Sequence, residues 1–448
     1  MTLPPRLLQA AVLLFASGGV VVAAKLLGVT GGFAFQTALV AGLAFAALEL
    51  TGRRDLWRAA AYGVLIACAG LTLKWLVPFF LDNWRTPHTW DFLAFYVDGA
   101  IGASGRNFYD PRSYQDIFPQ LQTPVVPDVG FVEEVVDVGF KYPPVTMLLL
   151  APLGHLDFHN AHLLWLSFVA LTTLAAALAF SALLPRDTGL AARLLCAAAV
   201  VFALPATASN AFFEQTNALL LALAAAACIA GAAGRAGAWS ALAMCVKPVM
   251  AVMGVHLLCR RYWRAVLVAA VCLLAAGLVT LATFGPATTF DYLRANPISN
   301  VPPWQYTGWI NQSLLATLLR LFDPENQARG AELMYPPFLI GAGLVAAISV
   351  YAAARLSPRD ADLSLGILLC AGLLLYPGTL VPYSMLLLVP MASFHARRTM
   401  VPWGRVAWPI ATALIYMVLA YVAFAANALV WALATVWALH LGRRSVAS

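Results

Sequence analysis

Residues 160–184, NAHLLWLSFVALTTLAAALAFSALL, contain no Asp, Glu, Lys or Arg and are longer than the about 20 apolar residues a helix needs to cross a bilayer. In hydrocarbon such a stretch has one stable form, an α-helix, because no lipid atom satisfies an exposed backbone amide. Similar runs recur along the chain at 9–29, 32–50, 57–81, 191–209, 216–234, 264–284, 336–355, 363–378, 380–395, 406–424 and 425–441. The expected fold is all-α: a polytopic membrane protein of about twelve transmembrane helices, with two long loops on one side.

Composition supports lipid as the main solvent. Of the 448 residues, 62% are hydrophobic and 10% charged, against about a quarter charged in an ordinary soluble chain. The formal charge of +7 would fit an anionic partner, but its placement points elsewhere. Arg53, Arg54 and Arg58 follow the second run, Arg186 and Arg193 flank the fourth and fifth, and Arg260, Arg261 and Arg264 form a third cluster. Arg355 and Arg359, then Arg397, Arg398 and Arg405, then Arg443 and Arg444 complete the series. With the N-terminus inside, all fall on the cytoplasmic side, as the positive-inside rule requires. The charge therefore marks topology in a lipid bilayer and argues against a nucleic-acid partner.

Residues 236–257 test this arrangement, since Arg235 precedes them and the Arg260 cluster follows. A re-entrant pair of half-helices broken near Lys247-Pro248 satisfies it, provided the broken backbone is buried in protein or lines a cavity. A single full crossing would put the later arginines outside. The seven cysteines all lie in or beside apolar runs, without a C-x-x-C pair, and read as small core residues. The N-terminal run has no convincing cleavage site and reads as an uncleaved first span.

Three regions follow: N-terminal transmembrane helices over 1–81, an extracytoplasmic loop over 82–144, and the remaining transmembrane domain over 145–448, which includes a second outer loop at 285–312. The first loop carries nine of the protein's 20 acids. Its beginning is rich in aromatics and reads as a short helix followed by a glycine and proline turn. Loops of this length in a compact protein are commonly functional or disordered, and the aromatic content argues against disorder.

Several polar residues interrupt this apolar setting. Asp91 lies among aromatics in Trp90-Asp91-Phe92. Partial desolvation would suit it to general-base work, while capping the helix that follows explains it equally well. Tyr142-Pro143-Pro144 and Tyr335-Pro336-Pro337 sit where the outer loops return to the membrane; proline at a first helical turn accounts for both. Tyr142, with Lys141, would also face a polar head group. Glu214-Gln215-Thr216-Asn217 opens a span with hydrogen-bonding groups that must face protein or a cavity, unless Thr216 or Asn217 simply caps the helix. Lys247, one of four lysines, needs an anion, either a lipid phosphate or Glu214. Asn311-Gln312-Ser313 introduces LLATLLRLF, too short to cross, where Arg320 would bind phosphate or snorkel to the interface. His155, His159 and His162 have helical spacing but no acid in motif context, and no residue cluster calls for a metal or another cofactor.

Taken in order, these segments resemble glycosyltransferase family 87, the polyprenol-phosphate-mannose-dependent α-1,2-mannosyltransferases and their relatives, over roughly residues 80–395. Asp91-Phe92 through Gly105 and Tyr109-Asp110-Pro111 is similar to the family's outer-loop pattern. Tyr142-Pro143-Pro144 through Pro152-Leu153, Lys247-Pro248 through the Arg260 cluster, and Asn311-Gln312-Ser313-Leu314 with Arg320 resemble its later segments. Glu214-Gln215-Thr216-Asn217 resembles a Gly-Gln-x-Asn pattern, with Glu in place of Gly. One departure is Tyr376-Pro377-Gly378-Thr379-Leu380-Val381-Pro382-Tyr383, where many members carry a Ser-Pro-x-Ser-Trp-x-His-His-like segment; it bears on donor and acceptor rather than on fold.

The resemblance implies a C-type glycosyltransferase architecture and an inverting transfer of a hexose, mannose first, from a polyprenyl-phosphate sugar donor to an envelope glycolipid or glycan acceptor. Asp91 would be the catalytic base, with Lys247, Arg320 and Lys141 on the donor phosphate. Tyr96, Tyr109, Tyr142, Glu214, Gln215, Asn217, Asn311, Gln312 and Tyr383 would bind substrate. The active site would face the extracytoplasmic side of the inner (plasma) membrane. A lipid or glycan transporter is the competing expectation, since broken helices and polar groups at mid-membrane also build transport sites.

Overall fold

A computed structural model of the protein describes residues 54–85, 90–121, 140, 142–184, 189–295, 311–322, 335–397 and 423–447. Among these the regular elements are helices, and extended backbone pairs only at an isolated bridge between Asn311 and Leu380. In chain order they are α1 (Arg54–Arg85), α2 (Trp90–Ala103), α3 (Pro111–Ile117), α4 (Pro144–His155), α5 (Phe158–Ser181), α6 (Leu190–Ala203), α7 (Pro205–Phe212) and α8 (Asn217–Ala230). There follow α9 (Gly234–Val246), α10 (Ala251–Cys259), α11 (Trp263–Ala295), α12 (Leu314–Phe322), α13 (Pro336–Arg355), α14 (Ala361–Leu375), α15 (Leu388–Arg397) and α16 (Ala423–Ala447).

Among the described residues, α5, the Trp263–Tyr292 part of α11, and α13 are long and apolar enough to cross a membrane, matching the runs at 160–184, 264–284 and 336–355. On α11, Leu267, Val271, Leu274 and Leu278 are each more than half exposed. An apolar strip of that length could not face water without association, whereas lipid solvates it. Hydroxyls on α5 avoid unpaired exposure by bonding back to their own helix: Ser167 donates to Leu163 O at 2.8 Å and Thr173 to Val169 O at 2.8 Å. The chain is a membrane protein on these grounds.

The expected spans are not all straight. Run 191–209 divides into α6 and α7, bent by 65°, because Leu204 precedes Pro205 and takes an extended conformation (φ −73°, ψ 125°). Run 236–257 breaks at Lys247-Pro248, as expected from the sequence. Lys247 is extended at φ −146°, ψ 137° between α9 and α10, again the residue before a proline. Run 380–395 opens as a tight helical turn, Val381–Leu387, before α15. The segment expected as a loop over 285–312 starts as helix instead: α11 kinks at Gly285 (φ 80°) and continues to Ala295. Runs 9–29 and 32–50, most of 406–424, Lys141 and the segments 122–139 and 296–310 lie outside the described residues, and the count of about twelve spans lies there with them.

The start of the 82–144 segment is the expected short helix and turn: α2 ends at Ala103 and the chain turns at Gly105 with φ 72°. Asp110 caps α3, accepting from Arg112 N at 3.0 Å, with Pro111 at the first turn. An aromatic core of Phe92, Phe95, Tyr96, Phe108, Tyr114, Phe158 and Trp165 joins α2, α3 and α5, and Met147, Leu150 and Leu153 add α4 to it. Tyr114 donates to Asp98 at 2.6 Å inside it; burial first, and then the Asp98 charge, push its phenol well above the ordinary tyrosine range. Gly99 and Gly154 let α2 and α4 touch backbone to backbone, since a Cβ on either would overlap the other helix. This packing fixes α2, and so Asp91, against the membrane helices.

Candidate active site

Asp91 lies in the first turn of α2 and is partly exposed. Its Oδ2 accepts from Gln215 Nε2 at 2.6 Å, across 124 residues of chain. Gln215 Oε1 in turn accepts from Lys247 Nζ at 2.9 Å, and Asn217 Oδ1 accepts from the same ammonium at 3.3 Å. The amide of Gln215 has only one orientation that serves both neighbours, with its nitrogen toward the carboxylate and its oxygen toward the ammonium. Acid, amide and cation thus form one continuous chain.

The local sequence explains each member. Lys247 sits at the gap between α9 and α10 because Pro248 cannot continue a helix, and Thr146 Oγ1 donates to the Cys245 carbonyl there at 2.7 Å. A buried cation is costly without partners. Here it meets two amide oxygens and two aromatic faces, Tyr383 at 4.3 Å and Tyr142 at 5.8 Å from the ring centroids. Lys247 is 1% exposed while Asp91, Gln215, Tyr142 and Tyr376 are half-buried, so the chain runs from an accessible acid to an enclosed cation.

Gln215 and Asn217 are aimed by the turn between α7 and α8. Thr216 holds the N-cap position of α8 without a side-chain capping bond, and Asn217 N instead donates to Asn210 Oδ1 at 3.0 Å. Glu214 does not pair with Lys247, as one sequence reading had it. It is fully buried and meets His162 Nε2 at 3.0 Å, and its carbonyl accepts from Trp165 Nε1 at 2.9 Å. Its φ of 48° lies in the left-handed region.

The other expected residues that the structure describes are tied into the segments around this chain, and Lys141 lies outside the described residues. Tyr109 is buried and donates to Tyr142 O at 2.7 Å, and Tyr96 donates to Leu156 O at 3.0 Å. Asn311 and Gln312 are buried and brace the Tyr376–Tyr383 segment. Asn311 Nδ2 donates to Pro377 O at 2.7 Å, Gln312 N to Thr379 O at 2.7 Å, and Ser384 and Asn427 both donate to Gln312 Oε1 at 3.1 Å. Arg320 holds the same brace from behind, donating to Asn311 O at 3.0 Å and to Thr317 Oγ1 at 3.1 Å. Tyr376 packs 6.0 Å from Tyr383.

Sequence reasoning missed the parts His162, Asn210, Thr146, Tyr376 and Asn427 play. For His162 a signal existed: it is the one ionisable side chain of run 160–184, and such a residue inside a span ordinarily has a specific partner. The others carry no local mark, because small polar residues in helices are common.

A helical membrane protein that joins a partly exposed acid at a helix start to a buried cation at a broken helix is built as a membrane enzyme. Residues 140–381, a little over half of the chain, match glycosyltransferase family 87, and the protein belongs to that family: it is a membrane glycosyltransferase, acting on a sugar donor and an acceptor. The matched stretch includes Tyr142, the 214–217 turn, Lys247, Asn311, Gln312 and Arg320, and lies between Asp91 and Tyr383. No curated protein and no solved structure matches the chain.

Proposed function

We propose that the protein transfers a hexose, mannose first, from a polyprenyl-phosphate sugar to a glycolipid or glycan acceptor at the extracytoplasmic face of the inner membrane, with inversion. The Asp91–Gln215–Lys247 chain carries this reading. Asp91 removes the proton of an acceptor hydroxyl as its oxygen bonds to the anomeric carbon. The bond from that carbon to the phosphate oxygen breaks, and the lipid phosphate leaves with the electron pair. Charge builds on the leaving oxygen, and the enclosed ammonium of Lys247 is placed to stabilise it in a setting of low dielectric.

Tyr142 and Tyr383, whose faces flank that ammonium, line the donor side, and Asn217 and Gln215 yield one of their contacts to the phosphate. Tyr109 supports Tyr142, while Asn311, Gln312 and Arg320 act through the Tyr376–Tyr383 segment. Tyr96 holds α2 to the end of α4. Lys141, adjoining Tyr142 in sequence, is assigned to the donor head group on that ground. The accessible Asp91 at one end of the chain and the enclosed Lys247 at the other support a lipid-borne donor meeting an acceptor from the outer side.

Purified protein supplied with mixed envelope lipids discriminates the donor class. Radiolabel is expected to pass from polyprenyl-phosphate mannose and not from a soluble nucleotide-mannose. Transfer from the nucleotide sugar alone would contradict the lipid-linked donor.

A further inference from the structure

His162 and Glu214 stand one layer behind the Asp91–Gln215 contact. Both are fully buried, and a single Nε2···Oε1 contact of 3.0 Å joins them. Among the described residues His162 Nδ1 and Glu214 Oε2 have no hydrogen-bond partner, and the Nε2···Oε1 contact is what joins the two side chains. Each is coupled to a member of the reactive chain. Glu214 immediately precedes Gln215, and the His162 ring lies 4.8 Å from that of Phe92, the residue after Asp91.

Glu214 also occupies a left-handed backbone conformation, φ 48°, that glycine adopts freely and other residues adopt only under strain. A glutamate there needs compensation from its side chain or its carbonyl. Both come from α5, where His162 and Trp165, three residues apart on one helical face, hold the carboxyl and the carbonyl of the same residue.

We propose that His162 is a positioning residue of the transfer reaction: through Glu214 it sets the turn that presents Gln215 to Asp91, while its ring seats Phe92 on the opposite side of the same contact. The proposal rests on the reading of Asp91 and Lys247 given above. His162 touches neither substrate nor the reacting groups.

The test compares full-length His162→Phe and His162→Gln in nanodiscs, with polyprenyl-phosphate mannose as donor. His162→Phe keeps a ring against Phe92 and loses the bond to Glu214; the amide of His162→Gln restores a donor near the Nε2 position. A displaced group costs about tenfold to a hundredfold in turnover. That loss of kcat is expected for His162→Phe, with donor KM within about twofold of wild type on the same ground, and His162→Gln recovers most of it. Wild-type kcat in His162→Phe, a loss confined to KM, or no rescue by His162→Gln would overturn the proposal.

Should His162→Phe fail to fold, the double variant with Glu214→Gly removes the orphaned carboxyl and gives the left-handed position to glycine. It is expected to fold and to turn over slowly; a folded double variant with wild-type kcat also overturns the proposal. The indole 15N–1H resonance of Trp165 separates this inference from the reading beneath it, because it needs no activity. Even if no polyprenyl-phosphate sugar is transferred, that resonance should move in His162→Phe and hold in His162→Gln, and equal resonances in all three proteins would contradict the inference.

Discussion

Gln215 satisfies a carboxylate with its nitrogen and an ammonium with its oxygen, and no other uncharged side chain of that length except its own amide can do both. Gln215→Leu should therefore lower turnover about a hundredfold, since it removes the amide that links Asp91 to Lys247 and leaves the enclosed ammonium with Asn217 Oδ1 and two ring faces. Gln215→Glu keeps an acceptor for Lys247 but sets a second carboxylate against Asp91, and its initial rate at neutral pH should be no higher than that of the leucine variant. An unimpaired rate in either would remove the amide from the mechanism. Lys247→Met, which keeps length and loses charge, should reduce kcat/KM by about a hundredfold to a thousandfold as measured by labelled sugar transfer. At this scale Asp91, Gln215 and Lys247 were legible because a charge or an amide in an apolar stretch is conspicuous. The partner of Glu214 was not: the sequence offered Lys247, and packing across α5 and the 213–217 turn gives it His162 instead.

Two prolines make the elements that hold the site. Pro248 separates α9 from α10 and frees Lys247 from helical geometry, while Pro205 bends α7 toward the turn that carries Gln215. Replacing Pro248 with Ala permits the two half-helices to join, which should depress transfer activity without lowering thermal stability; a decline in both would point to a purely structural proline. The Gly99–Gly154 contact is a second element-scale requirement. Gly99→Ala forces α2 away from the Leu150 carbonyl and should cost about 1–3 kcal/mol of stability together with activity, readable as a fall in melting temperature and in rate. The break at Lys247 was legible because charge at both ends of run 236–257 made a simple crossing inconsistent. The bend at Leu204 was not, because averaged hydropathy does not register one proline in an apolar run. Nor was the helix beyond Gly285, where glycine and proline together read as a loop start although the chain resumes its helix past the kink.

Over the whole molecule, three stretches far apart in sequence converge: α2 brings Asp91, the turn before α8 brings Gln215 and Asn217, and the broken α9–α10 pair brings Lys247. The exposed apolar strip of α11 and the aromatic core under α2 give this arrangement a lipid-facing side and a protein-facing side. Single cysteines at Gly130→Cys and Asn300→Cys, in a background without the native ones, should label from the extracytoplasmic side of intact cells; cytoplasmic labelling of either would reverse the sidedness. The membrane class was legible from composition alone, and the order of polar segments pointed to the family. The way distant segments meet was not, since contacts across more than a hundred residues leave no periodic trace. The most direct test of the reaction assigned to that meeting point is the rate of sugar transfer from polyprenyl-phosphate mannose by purified wild type and Asp91→Asn. A base in contact with the acceptor predicts a loss of about a hundredfold to ten-thousandfold with donor KM retained; undiminished transfer by Asp91→Asn would contradict it.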